Sequence, residues 1–131
     1  MAATPSTENE RIVLEFLGLW EKRDVSLLLP FFTPTGSYID TPLPPRHGID
    51  EIKAYIEAVF GGFSVRIETL KIASAGDLVF TERIDYLGAE GKPEVALPVA
   101  GVMEMKDGKI DQWREYLDLA TAEEGLGIKM K

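Results

Sequence analysis

Apolar residues recur at helical spacing over the first half of the chain and at every second position over the rest. In "STENERIVLEFLGLWEKRD" (6–24), Ile12, Val13, Phe16, Leu17 and Trp20 make one stripe, which predicts an amphipathic helix. Thr7 followed by Glu10 predicts a capping box at its start. Asp24 is the expected cap of a second, short helix, "VSLLLPFF". "GSYID" (36–40) predicts a brief strand and "TPLPPRHG" (41–48) a proline-rich loop. Asp50 is the expected cap of a third helix, "EIKAYIEAVF", with Ile52, Ile56 and Val59 facing inward. Gly61 and Gly62 end it.

From Phe63 the period is two. "FSVRIETLKIAS", "LVFTERIDYLG", "PEVALPVAGVMEM" and "KIDQWREYLDLA" predict four strands, joined by short glycine-containing turns into an antiparallel meander. The tail "EEGLGIKMK" (123–131) is broken by glycine and charged, which leaves fraying and closing over something both open. Helices followed by strands give an α+β class. The expected architecture is a strongly curved antiparallel sheet wrapped around three N-terminal helices. Such a cone has an internal pocket suited to a small apolar molecule. No internal repeat, linker or low-complexity tract divides residues 1–131, so one domain is expected.

Alternation also sorts the polar residues. Val79, Thr81, Arg83, Asp85 and Leu87 share one face of their strand, and Phe80, Glu82, Ile84 and Tyr86 share the other. On the last strand Trp113, Glu115 and Leu117 share a face, opposite Arg114, Tyr116 and Asp118. Glu115 is thus flanked by large apolar neighbours, an expensive place for a carboxylate unless it is paired or protonated. Alternation alone leaves two readings open. One is a solvated ion pair on the sheet surface, worth roughly 0–1 kcal/mol. The other is two carboxylates bridged by a guanidinium inside a pocket, their acidities driven apart into an acid and a base.

Composition narrows the chemistry. The chain has 131 residues, formal net charge −8, no cysteine and one histidine, His47. Disulfides, thiol nucleophiles and cysteine-type zinc sites are excluded, and a histidine-rich metal site or a Ser-His-Asp triad is disfavoured. No metal site is expected, and His47 is expected to be solvated. No basic patch suggests nucleic acid or an anionic membrane. The N-terminus has no basic stretch followed by an apolar run, and no apolar stretch is long enough to span a bilayer. A cytoplasmic protein is the expectation.

"SYIDTPLPPRHG" (37–48), "TERIDYL" (81–87) and "GKIDQWREYLDL" (108–119), in this order, resemble the limonene-1,2-epoxide hydrolase family, as does the opening helix "RIVLEFLGLW". The resemblance runs from about Glu10 to Leu126. It implies the cone fold shared with nuclear transport factor 2 and ketosteroid isomerase, a homodimer, no cofactor, and one-step opening of an apolar epoxide to a diol. By the same resemblance Arg83 matches the bridging arginine, Asp85 the general acid, Glu115 the general base, and Tyr38 the tyrosine that holds the attacking water. Two positions depart from the family. Glu115 stands where it has aspartate, and Asp40 stands where it has a water-holding asparagine. A protonated Asp40 could mimic the amide, and an ionised one could itself be the base.

Trp113, Leu117, Leu97, Val99, Met103, Val79 and Ile39 are the candidates to line the pocket. Three other functions remain open. A ketosteroid-isomerase-like enzyme would use Asp40 as base, but the places of that family's two oxyanion donors hold Phe16 and Pro98. A polyether-type cyclase would open an epoxide with a substrate hydroxyl. A non-catalytic binding module would keep the ions as a network.

Overall fold

In the computed structural model, which describes residues 3–127 and 129, six strands form one curved sheet against three helices and a fourth, C-terminal one. Helix α1 spans Glu8–Gly18 and continues as a 3-10 turn, Leu19–Lys22. Thr7 Oγ1 accepts from the Glu10 N–H at 3.1 Å, and the Glu10 carboxylate accepts from the Ser6 N–H at 2.9 Å. The predicted cap is present, reaching one residue further back. Helix α2, Val25–Leu28, is capped by Asp24 as expected and passes into a 3-10 turn, Leu29–Phe31, at Pro30.

Strand β1 runs Phe32–Thr41, twice the length of the brief strand expected. Strand β2 is the short Arg46–His47. Helix α3 spans Gly48–Gly62 and begins earlier than predicted. His47 is its N-cap residue, the Glu51 carboxylate accepts from the His47 N–H at 3.0 Å, and Asp50 lies in the first turn rather than at the cap. His47 is exposed, as expected, and its ring bonds Ser37 Oγ at 2.8 Å.

Strands β3 (Ser64–Ala75), β4 (Leu78–Gly88), β5 (Val95–Lys106) and β6 (Lys109–Leu117) form the expected antiparallel meander. The sheet is larger than that meander. Its order is β2-β1-β6-β5-β4-β3, with β1 parallel to β6. The β1–β6 register shifts between Phe32 and Ser37, and beyond the shift Tyr38 pairs with Trp113 and Asp40 with Glu115.

The last strand stops at Leu117 instead of running to Ala120. Asp118 accepts from the Ala120 N–H at 3.1 Å and caps helix α4, Leu119–Leu126, which ends at Gly127 with φ +69°. A positive φ suits glycine. The tail therefore folds back as a helix up to this point, and residues 128, 130 and 131 of the expected tail lie outside the described residues. Among the described residues no helix is long and apolar enough to cross a membrane.

The core lies between the sheet and α1 and α3. Val13, Phe16 and Leu17 of α1, and Ile52, Ile56 and Phe60 of α3, are buried. Phe16 meets Trp113 edge-on at 5.1 Å and Phe32 edge-on at 5.4 Å. Tyr38 stacks on Trp113 at 4.3 Å with an interplanar angle of 10°. Such aromatic contacts contribute about 0.5–1.5 kcal/mol beyond area burial. They fix Trp113 and Tyr38 as the floor of what lies above.

Candidate active site

Three rows of the sheet build the site. Asp40 on β1 pairs with Glu115 on β6, Glu115 with Gly101 on β5, and Gly101 with Thr81 on β4. The next row holds Leu117, Val99 and Arg83, and the one after it Leu97, Asp85 and Ile67. All face the concave side, as alternation predicts.

Arg83 is only 1% exposed. Its Nε donates to Asp85 Oδ1 at 3.2 Å and its Nη2 to Asp85 Oδ2 at 2.8 Å. Nη1 donates to Glu115 Oε2 at 2.7 Å, and Nη2 also donates to Glu115 Oε1. One guanidinium thus forks onto both carboxylates. The surface-pair reading of these residues does not hold, because Glu115 is 2% exposed.

Gly101 makes this contact possible. A Cβ at Gly101 would lie 2.6 Å from Arg83 Nη1 and 3.1 Å from Thr81 Oγ1, and would overlap Glu115 Oε2. Arg83 crosses β5 through the space a side chain would fill.

The cluster opens into a cavity of about 90 Å³. Its polar wall is Asp40, Asp85 and Glu115, and its aromatic wall includes Trp20, Tyr38, Tyr55 and Trp113. Of the expected lining residues, Trp113, Leu117, Leu97 and Val99 border it. Val79 and Met103 do not. They belong to the core cluster, one row deeper, where Met103 pairs with both Val79 and Trp113. Ile39 also does not, because it alternates against Tyr38 and Asp40, both of which border the cavity.

Tyr55 is a site residue that the sequence reading passed over. Its hydroxyl donates to Asp40 Oδ2 at 2.5 Å, and the Arg46 guanidinium lies 4.0 Å from its ring centroid. The signal was present, since Tyr55 shares a helix face with Ile52, Ile56 and Val59. Gly101, a lone glycine inside a strand, was another available signal. Leu119, Ala122 and Leu126 of α4 close part of the mouth. Asp118 before and Gly127 after were cap signals for that helix.

The electrostatics follow from burial. Burial pushes the Glu115 carboxyl up from its ordinary 4.5 to about 7, against the pull of Arg83, with Asp85 and Asp40 adding repulsion. Burial also raises Asp40, while the Tyr55 hydrogen bond and Arg83 pull it down. Tyr38 and Tyr55 are both raised, by burial first and then by Asp40, so each phenol stays neutral. For Arg83 burial pulls down, but Glu115 and Asp85 outweigh it and the group stays charged. Among the described residues no three of His, Cys, Asp and Glu are grouped to hold a metal ion. The arrangement can hold a proton donor and a proton acceptor on one apolar chamber.

The family model for the SnoaL-like domain matches residues 13–113. The chain belongs to the SnoaL-like domain family. Over 65 residues this SnoaL-like chain is 42% identical to the epoxide hydrolase EphG of Mycobacterium tuberculosis. That match spans 50% of the chain and 42% of the relative, less than half its length. A solved epoxide hydrolase of M. tuberculosis, of the limonene-epoxide-hydrolase-like type, superposes with a TM-score of 0.80 at 28% identity. It covers 93% of this chain and 92% of its own. SalBIII, an epoxide hydrolase/cyclase-like enzyme of pyran ring formation in the polyether salinomycin, shares the SnoaL-like fold. Its TM-score is 0.78 at 19% identity, over 87% of this chain and 93% of its own. These findings support the family resemblance carried by the three sequence motifs and the cone fold expected from it.

Proposed function

We propose that this SnoaL-like chain opens small apolar epoxides without a cofactor, by general acid/base catalysis on the Arg83–Asp85–Glu115 cluster. An epoxide has ring strain but a poor leaving oxygen, so a proton must arrive as the C–O bond breaks. Asp85, in its acid form, delivers that proton. Water attacks carbon from the opposite side, at the end of the cavity where Asp40 and Glu115 are register partners and Tyr38 lies beside them. Arg83 holds the two carboxylates at fixed spacing and keeps Glu115 tolerable in an apolar surrounding.

One observation carries the reading: a single buried arginine is hydrogen-bonded to two carboxylates that border an apolar cavity. A buried ion network of this kind is often no better for stability than apolar residues of the same volume, which favours a chemical reason for it. The epoxide hydrolases among the similar proteins support the same class. The ketosteroid-isomerase reading is weakened. Phe16 is buried core with no polar head, and Pro98 is exposed on the outer side of β5.

The test is incubation with limonene 1,2-epoxide, cyclohexene oxide and a steroid epoxide in ¹⁸O water. Label in a diol identifies a hydrolase, and a cyclic ether without label identifies a cyclase. Asp85→Asn is expected to lower turnover about 10²–10⁴-fold with its melting temperature little changed. Unchanged turnover in that variant would remove Asp85 from the chemistry.

A further inference from the structure

Three carboxylates border the cavity, and hydrogen bonding separates them into two kinds. Both oxygens of Asp85 and both oxygens of Glu115 accept from Arg83. Asp40 is bound at one oxygen only. Tyr55 donates to Oδ2, and among the described residues no protein group donates to Oδ1. Accessibility separates the two candidate bases: Glu115 is 2% exposed, whereas Asp40, like Asp85, is half-buried. A general base must meet its water within hydrogen-bond reach and with a lone pair to spare.

Resting on the epoxide-opening reading above, we propose that Asp40, rather than Glu115, takes the proton from the attacking water, and that Tyr55 is its positioning residue. Glu115 is then the fixed hydrogen-bond partner of Arg83, and the working acid–base couple is Asp85 with Asp40.

The step balances. A water proton passes to Asp40 Oδ1 as the water oxygen bonds to an epoxide carbon. That carbon's bond to the ring oxygen breaks, and the ring oxygen takes the Asp85 proton. The diol leaves with one carboxyl proton moved from Asp85 to Asp40, and exchange with solvent returns it. Tyr55 holds Oδ2, so the carboxylate that borders the cavity keeps one orientation. The departure from an amide at position 40 gains a purpose, since an amide can hold a water but cannot accept its proton.

The groups that face Asp40 are Tyr55 on α3, Arg46 on β2, Arg83 and Asp85 on β4, Glu115 on β6, and Tyr38 on its own strand. Of these, Tyr55 is the direct donor to its carboxylate, and that bond favours the ionised form. Removing it raises the pH needed to ionise the base.

The test uses the same three epoxides, with Asp40→Asn, Tyr55→Phe and Asp85→Asn beside the wild type and thermal melting as the control on folding. Asp40→Asn is expected to lose about 10²–10⁴-fold in kcat. A loss under tenfold would overturn the assignment and return the base to Glu115, because that variant restores the amide of the resembled family. Tyr55→Phe is expected to move the acidic limb of the kcat/KM profile to higher pH. An unmoved limb would overturn the positioning role even if Asp40→Asn fails to fold. If the wild type opens none of the epoxides, the epoxide-opening reading itself fails. A carboxyl ¹³C titration of Asp40 then decides the role of Tyr55: movement to higher pH in Tyr55→Phe supports it, and no movement overturns it.

Discussion

The two faces of β4 to β6 each carry exceptions to the usual pattern of a half-buried sheet. On the inner face Arg83 and Glu115 are 1% and 2% exposed, while on the outer face Phe80 and Tyr116 are 41% and 48% exposed. The same strands carry another ion pair outside, Arg114 with Glu104, where both side chains reach solvent. Chemically the two pairs are alike. Their surroundings differ, and surroundings decide what a charge does. Outside, water screens the pair and it contributes about 0–1 kcal/mol. Inside, each charge has lost its water and depends on its partner.

Removing an arginine from each face tests that contrast most strongly. Arg83→Ala strands two carboxylates in an apolar chamber and is expected to destabilise by about 3–5 kcal/mol in chemical denaturation. Equal effects of Arg83→Ala and Arg114→Ala would break the comparison, since Arg114→Ala is expected to change stability by no more than about 1 kcal/mol.

A smaller effect comes from pH. The folded-state pKa of Glu115 is raised, so its contribution to stability is complete below about pH 4.5. It is lost as pH rises toward about 7. Wild type should therefore lose stability relative to Glu115→Gln across that window. A parallel pair of stability–pH curves would show that Glu115 titrates as it does in water.

The third effect concerns packing. Gly101→Ala pushes a methyl group into Arg83 and Glu115. Overpacking of this kind costs about 1–3 kcal/mol, and turnover should fall with it. An alanine tolerated without loss of either would show that the arginine reaches its partners by another path.

Much of this was legible in the sequence. The change of period from helical to two gave the α+β class and the meander. Alternation put Arg83 with Asp85 and Glu115 with Trp113 on the correct faces. The length of β1 and its parallel pairing with β6 were not legible, and α4 was legible only through its caps, Asp118 and Gly127. "FTPTGSYIDT" mixes proline, glycine and threonine with few apolar residues, so its strand character comes from its neighbour rather than from its own pattern. Val79 and Met103 share the inner face with Arg83, but alternation says which side a residue takes, not how deep it lies.

The chain by itself determined which side chains can meet, because a strand's two-residue period is local and rests on covalent geometry alone. It also determined the absence of thiols and the single histidine, and with them the turn toward carboxylate chemistry. Only tertiary structure decided which of those side chains do meet. Arg83 and Glu115 are 32 positions apart, and Asp40 and Tyr55 are 15 apart. Their bonds depend on strand register, on a glycine left bare between Arg83 and Glu115, and on the placement of α3, which carries Tyr55. Those are non-local packing outcomes, set by burial of the whole sheet face rather than by any single stretch of residues.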